Sequence, residues 1–107
     1  MSFSIISIAT FDKQAKRLIK KYPSLKKELQ QLGDALITNP FTGTSIGHDC
    51  FKIRLSIASK GKGKSGGARI ITHVYVSGKT IFLLSIYDKS EQSDITNKEL
   101  LQMLKEI

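Results

Sequence analysis

The sequence predicts an α+β protein of order β-α-α-β-β-β-α, a helical hairpin packed on a mainly antiparallel four-stranded sheet with a short C-terminal helix. Three observations predict it. Two apolar series recur at helical spacing, Phe11-Ala15-Leu18-Ile19-Tyr22 and Leu25-Leu29-Leu32-Leu36, with Pro23 between them. From Phe51 the period changes to strict alternation, and two further β-rich runs follow. Thr96 and Glu99 then form a Thr-x-x-Glu capping box ahead of a short apolar stripe.

In chain order, Phe3–Ala9 is rich in β-branched residues and reads as the first strand, with Thr10 as the N-cap of the helix that follows. Tyr22-Pro23-Ser24 breaks that helix, because proline disfavours helical geometry in the residue before it. Asn39-Pro40 ends the second helix. Phe51, Ile53, Leu55 and Ile57 alternate with Lys52, Arg54 and Ser56, a half-buried strand with one polar face. A Gly-rich loop, Lys60 to Gly67, leads to a strand over Ala68–Val76. Ser77-Gly78 turns the chain into a nearly continuous apolar strand, Thr80–Tyr87, so the three strands form an antiparallel meander. Ile95 and Leu100 bracket the capping box as a hydrophobic staple, and Leu100, Leu101 and Leu104 give the last helix its apolar side.

The 107 residues suit a single domain, 1–107, with one modest core. Cys50 is the only cysteine, so no internal disulfide can form, and His48 and His73 alone cannot complete a zinc site. No cofactor or metal is expected. No stretch approaches the ~20 apolar residues that span a bilayer, and Met1–Ser7 lacks the basic start and long apolar run of a signal peptide. The expectation is a cytoplasmic protein with no membrane partner.

Charge points to function. Seventeen Lys and Arg face nine Asp and Glu, a formal net charge of +8. Such an excess costs self-repulsion and favours a nucleic acid, an anionic membrane or an acidic protein as partner. It is also unevenly placed. Between Cys50 and Tyr87 there is no carboxylate, while the same window holds Lys52, Arg54, Lys60, Lys62, Lys64, Arg69 and Lys79. A solvated strand face usually mixes both signs, so an all-cationic one is the footprint of a polyanion. Lys60, Lys62 and Lys64 are candidate RNA-backbone contacts. So are Lys16 and Lys20, which share a helix face with Lys13 and Arg17 by i, i+3, i+4 spacing. Gly63-Lys64-Ser65 resembles the end of a phosphate-binding P-loop, but Ala58 stands where its first glycine is required and a strand follows where a helix should. A cationic loop tracking a phosphate backbone fits better. Alternation sends Phe51, Ile53, Leu55 and Ile57 towards the helices and lets Lys52, Arg54, Arg69 and Tyr87 converge on the open face; a slip of one residue would reverse this.

Phe51–Leu55, Gly66–Ile71 and Ile81–Glu91 together resemble the RelE/ParE superfamily of toxins, and the Lys60–Arg69 loop with Tyr87–Glu91 is most similar to its HigB branch. The predicted element order matches as well, so the resemblance covers nearly the whole chain. It implies the toxin of a bacterial type II toxin–antitoxin pair: a ribosome-dependent endoribonuclease that cuts mRNA in the decoding site. It also implies a cognate antitoxin, presenting an acidic segment or a helix-turn-helix fold, as partner beside the ribosome and mRNA. By the same resemblance Lys52 and Arg54 match the family's basic pair, and Arg69 its active-site arginine. The sequence departs from the family in its C-terminal part. Ser90 stands where RelE has a further arginine, Thr96 where it has a catalytic tyrosine, and the histidine-rich C-terminal site of some HigB toxins is absent. Tyr87, Lys89 and Glu91 are therefore the nearby candidates for acid and base.

A metal-free ribonuclease of this kind uses the ribose 2′-OH as nucleophile and needs a base, an acid and cations for the phosphorane. Arginine suits the last task because its planar fork grips phosphate bidentately. Crowding by like charges favours a neutral lysine, which makes Lys52, among Arg54 and Arg69, a candidate base. His73 sits mid-strand among apolar residues and reads as structural. The alternatives are a ParE-type inhibitor of DNA gyrase, which would not need Lys52, Arg54 and Arg69, and a non-catalytic RNA-binding module, which would be expected to expose aromatics for base stacking.

Overall fold

The computed structural model describes residues 3–61 and 66–107. The elements are β1 (Ser4–Ser7), α1 (Ala9–Lys21), α2 (Leu25–Thr38), β2 (Thr44–Gly47), β3 (Cys50–Leu55), a 3-10 turn (Ala58–Lys60), β4 (Ala68–Tyr75), β5 (Thr80–Asp88) and α3 (Asn97–Leu104). The strands form one sheet in the order β1-β5-β4-β3-β2, with β1 parallel to β5 and all other pairings antiparallel.

The α+β class and the mainly antiparallel sheet match expectation, but the sheet has five strands rather than four. The additional strand, β2, is a short edge of Thr-Ser-Ile-Gly composition with no clear alternation. Its hairpin to β3 turns on His48 and Asp49, both at positive φ (57° and 58°). Two-residue hairpins of the I′ type need that geometry and usually take Asn-Gly, so a His-Asp turn gave no sequence signal. Gly43, just before β2, has φ +105°, and a Cβ there would lie 2.6 Å from the Lys52 carbonyl oxygen. Only glycine lets this segment rest on the backbone of β3.

Helix α1 starts one residue before Thr10, with Ile8 at the cap position and no side-chain cap bond. The Thr10 hydroxyl instead donates to Glu106 (2.6 Å), tying α1 to the C-terminus. Tyr22 ends α1 in extended geometry, as Pro23 requires. The Thr96–Glu99 capping box forms in both directions, at 3.1 and 3.0 Å.

Directly paired residues of neighbouring strands share a face. Ile53, Ile70 and Ile86 form one such row and are all buried, towards the hairpin side, where Leu32 and Glu28 of α2 flank Ile53 and Leu55. Lys52, Ile71 and Ser85 form a row on the opposite face. That face is covered by α3 and the segment before it: Lys52 shares a cleft with Ile95 and Leu100, and Ser85 one with Ile95 and Met103. Because β1 pairs with β5 only as far as Leu83, the Ile86 N–H lies beyond its reach; the Gln14 side chain of α1 accepts it at 3.0 Å.

The hairpin and the sheet are joined by a buried ion pair. Lys60, its side chain 7% exposed, meets the fully buried Asp88. Tyr22 donates a second hydrogen bond to Asp88 (2.7 Å), and Ser90 gives two more, from its N–H (2.9 Å) and hydroxyl (2.7 Å). The 3-10 turn that carries Lys60 is itself fastened to α2 and its N-cap, the Ala58 N–H donating to Glu28 (2.7 Å) and the Ser59 N–H to Ser24 (2.9 Å). Burial alone would push the Asp88 carboxyl up, but the bonds from Lys60, Ser90 and Tyr22 outweigh it and hold the group well below the usual carboxylate range.

Removing one partner of this pair leaves a buried charge without its counter-ion. Lys60→Met should cost about 3–5 kcal/mol, read as a lower urea midpoint at unchanged m-value; an unchanged midpoint would show the pair to be idle. Because the folded carboxyl lies below its unfolded value, its contribution is complete above pH about 4 and is lost as pH falls below that. Asp88→Asn should therefore flatten the acid limb of the melting-temperature profile.

Candidate nucleic-acid interface

The register brings together most of the residues singled out from the sequence. Arg54 pairs with Arg69, and Arg69 with Tyr87, so the three lie in one row across β3, β4 and β5. Lys52 is two residues along β3 on the same face. This face is less open than expected. Arg54 is exposed and Lys52 half-buried, but Arg69 is 5% and Tyr87 4% exposed, Tyr87 lying against Asp94 of the segment leading into α3. One Arg69 guanidinium nitrogen donates to the Ala68 carbonyl (3.1 Å), holding the side chain against its own strand.

A residue missed in the sequence lies between Lys52 and Tyr87. The Asp94 carboxylate, on the connection from β5 to α3, accepts from Lys52 Nζ (3.3 Å), from the Tyr87 hydroxyl (3.4 Å) and from the Ile95 N–H (2.8 Å). The Ile95 N–H, and after it the Lys52 ammonium, hold the Asp94 carboxyl below the usual range. Lys52 thus has a carboxylate neighbour as well as the cations expected around it. The carboxylate-free window ended at Tyr87, just short of both Asp88 and Asp94. Burial, and then the charge of Asp94, push the Tyr87 phenol up to about 12, with the Arg69 charge pulling the other way. Tyr87 keeps its proton at neutral pH.

The remaining candidates are dispersed. Glu91 is taken up by α1, accepting from Arg17 (2.7 Å) and Lys21 (3.3 Å). The Arg17 hydrogen bond, with help from Lys21, holds its carboxyl below the usual range, which makes it a weak base. Lys89 is half-buried and donates to the Ser93 carbonyl (2.7 Å), bracing the 89–96 connection. Lys60 requires correction: its ammonium is buried against Asp88 and is not available to track phosphate. Lys62 and Lys64 lie outside the described residues. Lys16 and Lys20 are exposed on α1. His73 takes the structural role expected of it, its Nδ1–H donating to the His48 carbonyl (3.0 Å) across the β2–β3 turn. Burial pushes the neighbouring Cys50 thiol up to about 11, which leaves it unreactive.

The geometry makes a spectroscopic prediction. The Tyr87 phenol should remain protonated through the ordinary tyrosine range near pH 10, and the wild-type minus Tyr87→Phe difference titration should place its ionisation near 12. A midpoint near 10 would contradict its burial beneath Asp94.

Over the full length of this chain and 99% of the other, the fold is similar to that of the E. coli toxin RelE, solved as a double arginine-to-alanine mutant in the free state, with a TM-score of 0.66 at 15% identity. A family model described as the RelE toxin of the RelE/RelB toxin–antitoxin system matches residues 5–107. The chain therefore belongs to the RelE toxin family.

Proposed function

We propose that this toxin, acting as one domain over 1–107, is an endoribonuclease that cuts mRNA on the ribosome, in the cytoplasm, and is silenced by a cognate antitoxin. The observation that carries this reading is the Arg54–Arg69–Tyr87 row with Lys52 beside it: three cations and a protonated phenol on one sheet face. In the reaction the ribose 2′-oxygen attacks phosphorus as its proton passes to a base of the decoding site, the P–O5′ bond breaks, and a 2′,3′-cyclic phosphate and a 5′-hydroxyl result. Arg54 and Arg69 grip the phosphate and take up phosphorane charge, with Lys52 as a third cation. Tyr87 donates its proton to the leaving 5′-oxygen. The exposed Lys16 and Lys20, with the charges of Lys62 and Lys64, supply further cations for ribosomal RNA.

Dependence on the ribosome follows from the acid–base inventory. The imidazole of His73 is committed to a carbonyl and Glu91 to two cations, so the 2′-hydroxyl is to be oriented and activated with help from the decoding site. A carboxylate-poor basic face also favours an antitoxin that presents acidic groups to it.

The test is mRNA cleavage on programmed ribosomes, with naked RNA as control. Wild-type protein should produce fragments only with ribosomes. Arg54→Ala, at an exposed position, should lower cleavage about a hundredfold, the loss of one preorganised transition-state contact, at nearly unchanged melting temperature. Arg69→Lys should recover little activity, since a point charge cannot grip bidentately; because Arg69 is buried, Arg69→Ala should cost stability as well. Arrest of translation with intact mRNA, or wild-type cleavage by Arg54→Ala, would overturn the assignment.

A further inference from the structure

We infer that Lys52 Nζ, the Tyr87 hydroxyl and the Ile95 N–H form a subsite for one phosphate oxygen of an RNA phosphodiester, and that Asp94 fills this subsite when no RNA is bound. The inference rests on the proposed function for the identity of the ligand. It rests on the structure for the subsite.

One carboxylate oxygen, Asp94 Oδ1, accepts from all three donors. Convergence of an ammonium, a phenol and a backbone N–H on one anionic oxygen is the donor set that a phosphoryl oxygen takes. Carboxylate and phosphate oxygens carry the same sign and accept the same bonds, so either can occupy the position. The fit to Asp94 is uneven. The Ile95 bond is short at 2.8 Å, while those from Lys52 and Tyr87 are 3.3 and 3.4 Å, longer than the ~2.7–2.9 Å of a close charge-assisted bond.

The donors and the carboxylate differ in how they are held. Lys52 and Tyr87 project from neighbouring rows of the sheet, on β3 and β5 either side of β4, and Tyr87 is 4% exposed. Asp94 lies outside the sheet, with its side chain 61% exposed. The side chain can leave towards solvent without disturbing the buried rows. Without RNA, Asp94 supplies countercharge to a face on which Arg54 opposes Arg69. With RNA, the same carboxylate competes with the phosphate, so its presence weakens binding.

The experiment compares full-length wild type, Asp94→Asn and Asp94→Ala, using inorganic phosphate as the probe by NMR titration, with ribosome-dependent cleavage in parallel. Asp94→Ala should bind phosphate about tenfold tighter than wild type, the size of one charge-assisted hydrogen bond. Adding Lys52→Met or Tyr87→Phe should abolish that gain. Unchanged or weaker phosphate binding, or a gain that survives Lys52→Met, overturns the subsite. So does a large loss of cleavage in Asp94→Asn at unchanged phosphate affinity, which would make Asp94 a participant in the chemistry. If the wild type leaves mRNA intact while the Asp94 variants gain phosphate affinity as stated, the cleavage reading fails and the subsite stands. Should both variants unfold, the wild type decides: saturating phosphate must shift the Ile95 amide and the Asp94 carboxyl resonances, and fixed resonances overturn the inference.

Discussion

The register of β3 against β4 and β5 is the constraint on which the rest of this molecule depends. It places Arg54 opposite Arg69, a like-charge pair that is unfavourable by itself. What holds it is the other face of the sheet, where Ile53, Ile70 and Ile86 lie buried in the adjacent row. A slip of one residue would bring the cations into the core and expose the isoleucines. Burial of three apolar side chains, at roughly 1.5–3 kcal/mol each, outweighs the repulsion of two arginines, one of them exposed. The functional face is thus fixed by hydrophobic burial behind it.

The formal net charge of +8 is partitioned rather than simply displayed. One cation of the central window, Lys60, is spent inside the fold on Asp88, joining the hairpin, the 3-10 turn and the end of β5. Arg17 and Lys21 are engaged by Glu91, which holds the start of the 89–96 connection against α1. Lys52 meets Asp94 at the other end of that connection. Carboxylates between β5 and α3 therefore fix the segment that lies against Tyr87. Their placement links that segment to the charge of the site.

Most of the architecture was legible in the sequence because it follows from periodicity and punctuation. The two helical series, the Pro23 break, the Phe51–Ile57 alternation and the Thr96–Glu99 box each have a local physical cause, and each appears in the structure. β2 was not legible, since a four-residue edge strand with a His-Asp turn carries neither alternation nor the usual turn residues. The candidate site was half legible. Alternation within strands set Lys52, Arg54, Arg69 and Tyr87 on a common face, and their pairing follows from the meander. The roles of Lys60, Glu91 and Asp94 depend on contacts over 28, 74 and 42 residues of chain, which no local pattern encodes.

The chemistry assigned to this face is most directly tested by the substrate's own nucleophile. A ribosome-bound mRNA carrying a single 2′-deoxynucleotide immediately 5′ of the cleavage point should resist the toxin, while the all-ribose message yields downstream fragments with 5′-hydroxyl ends. Cleavage of the deoxy-substituted message at the same bond, or fragments bearing 5′-phosphate, would contradict the account.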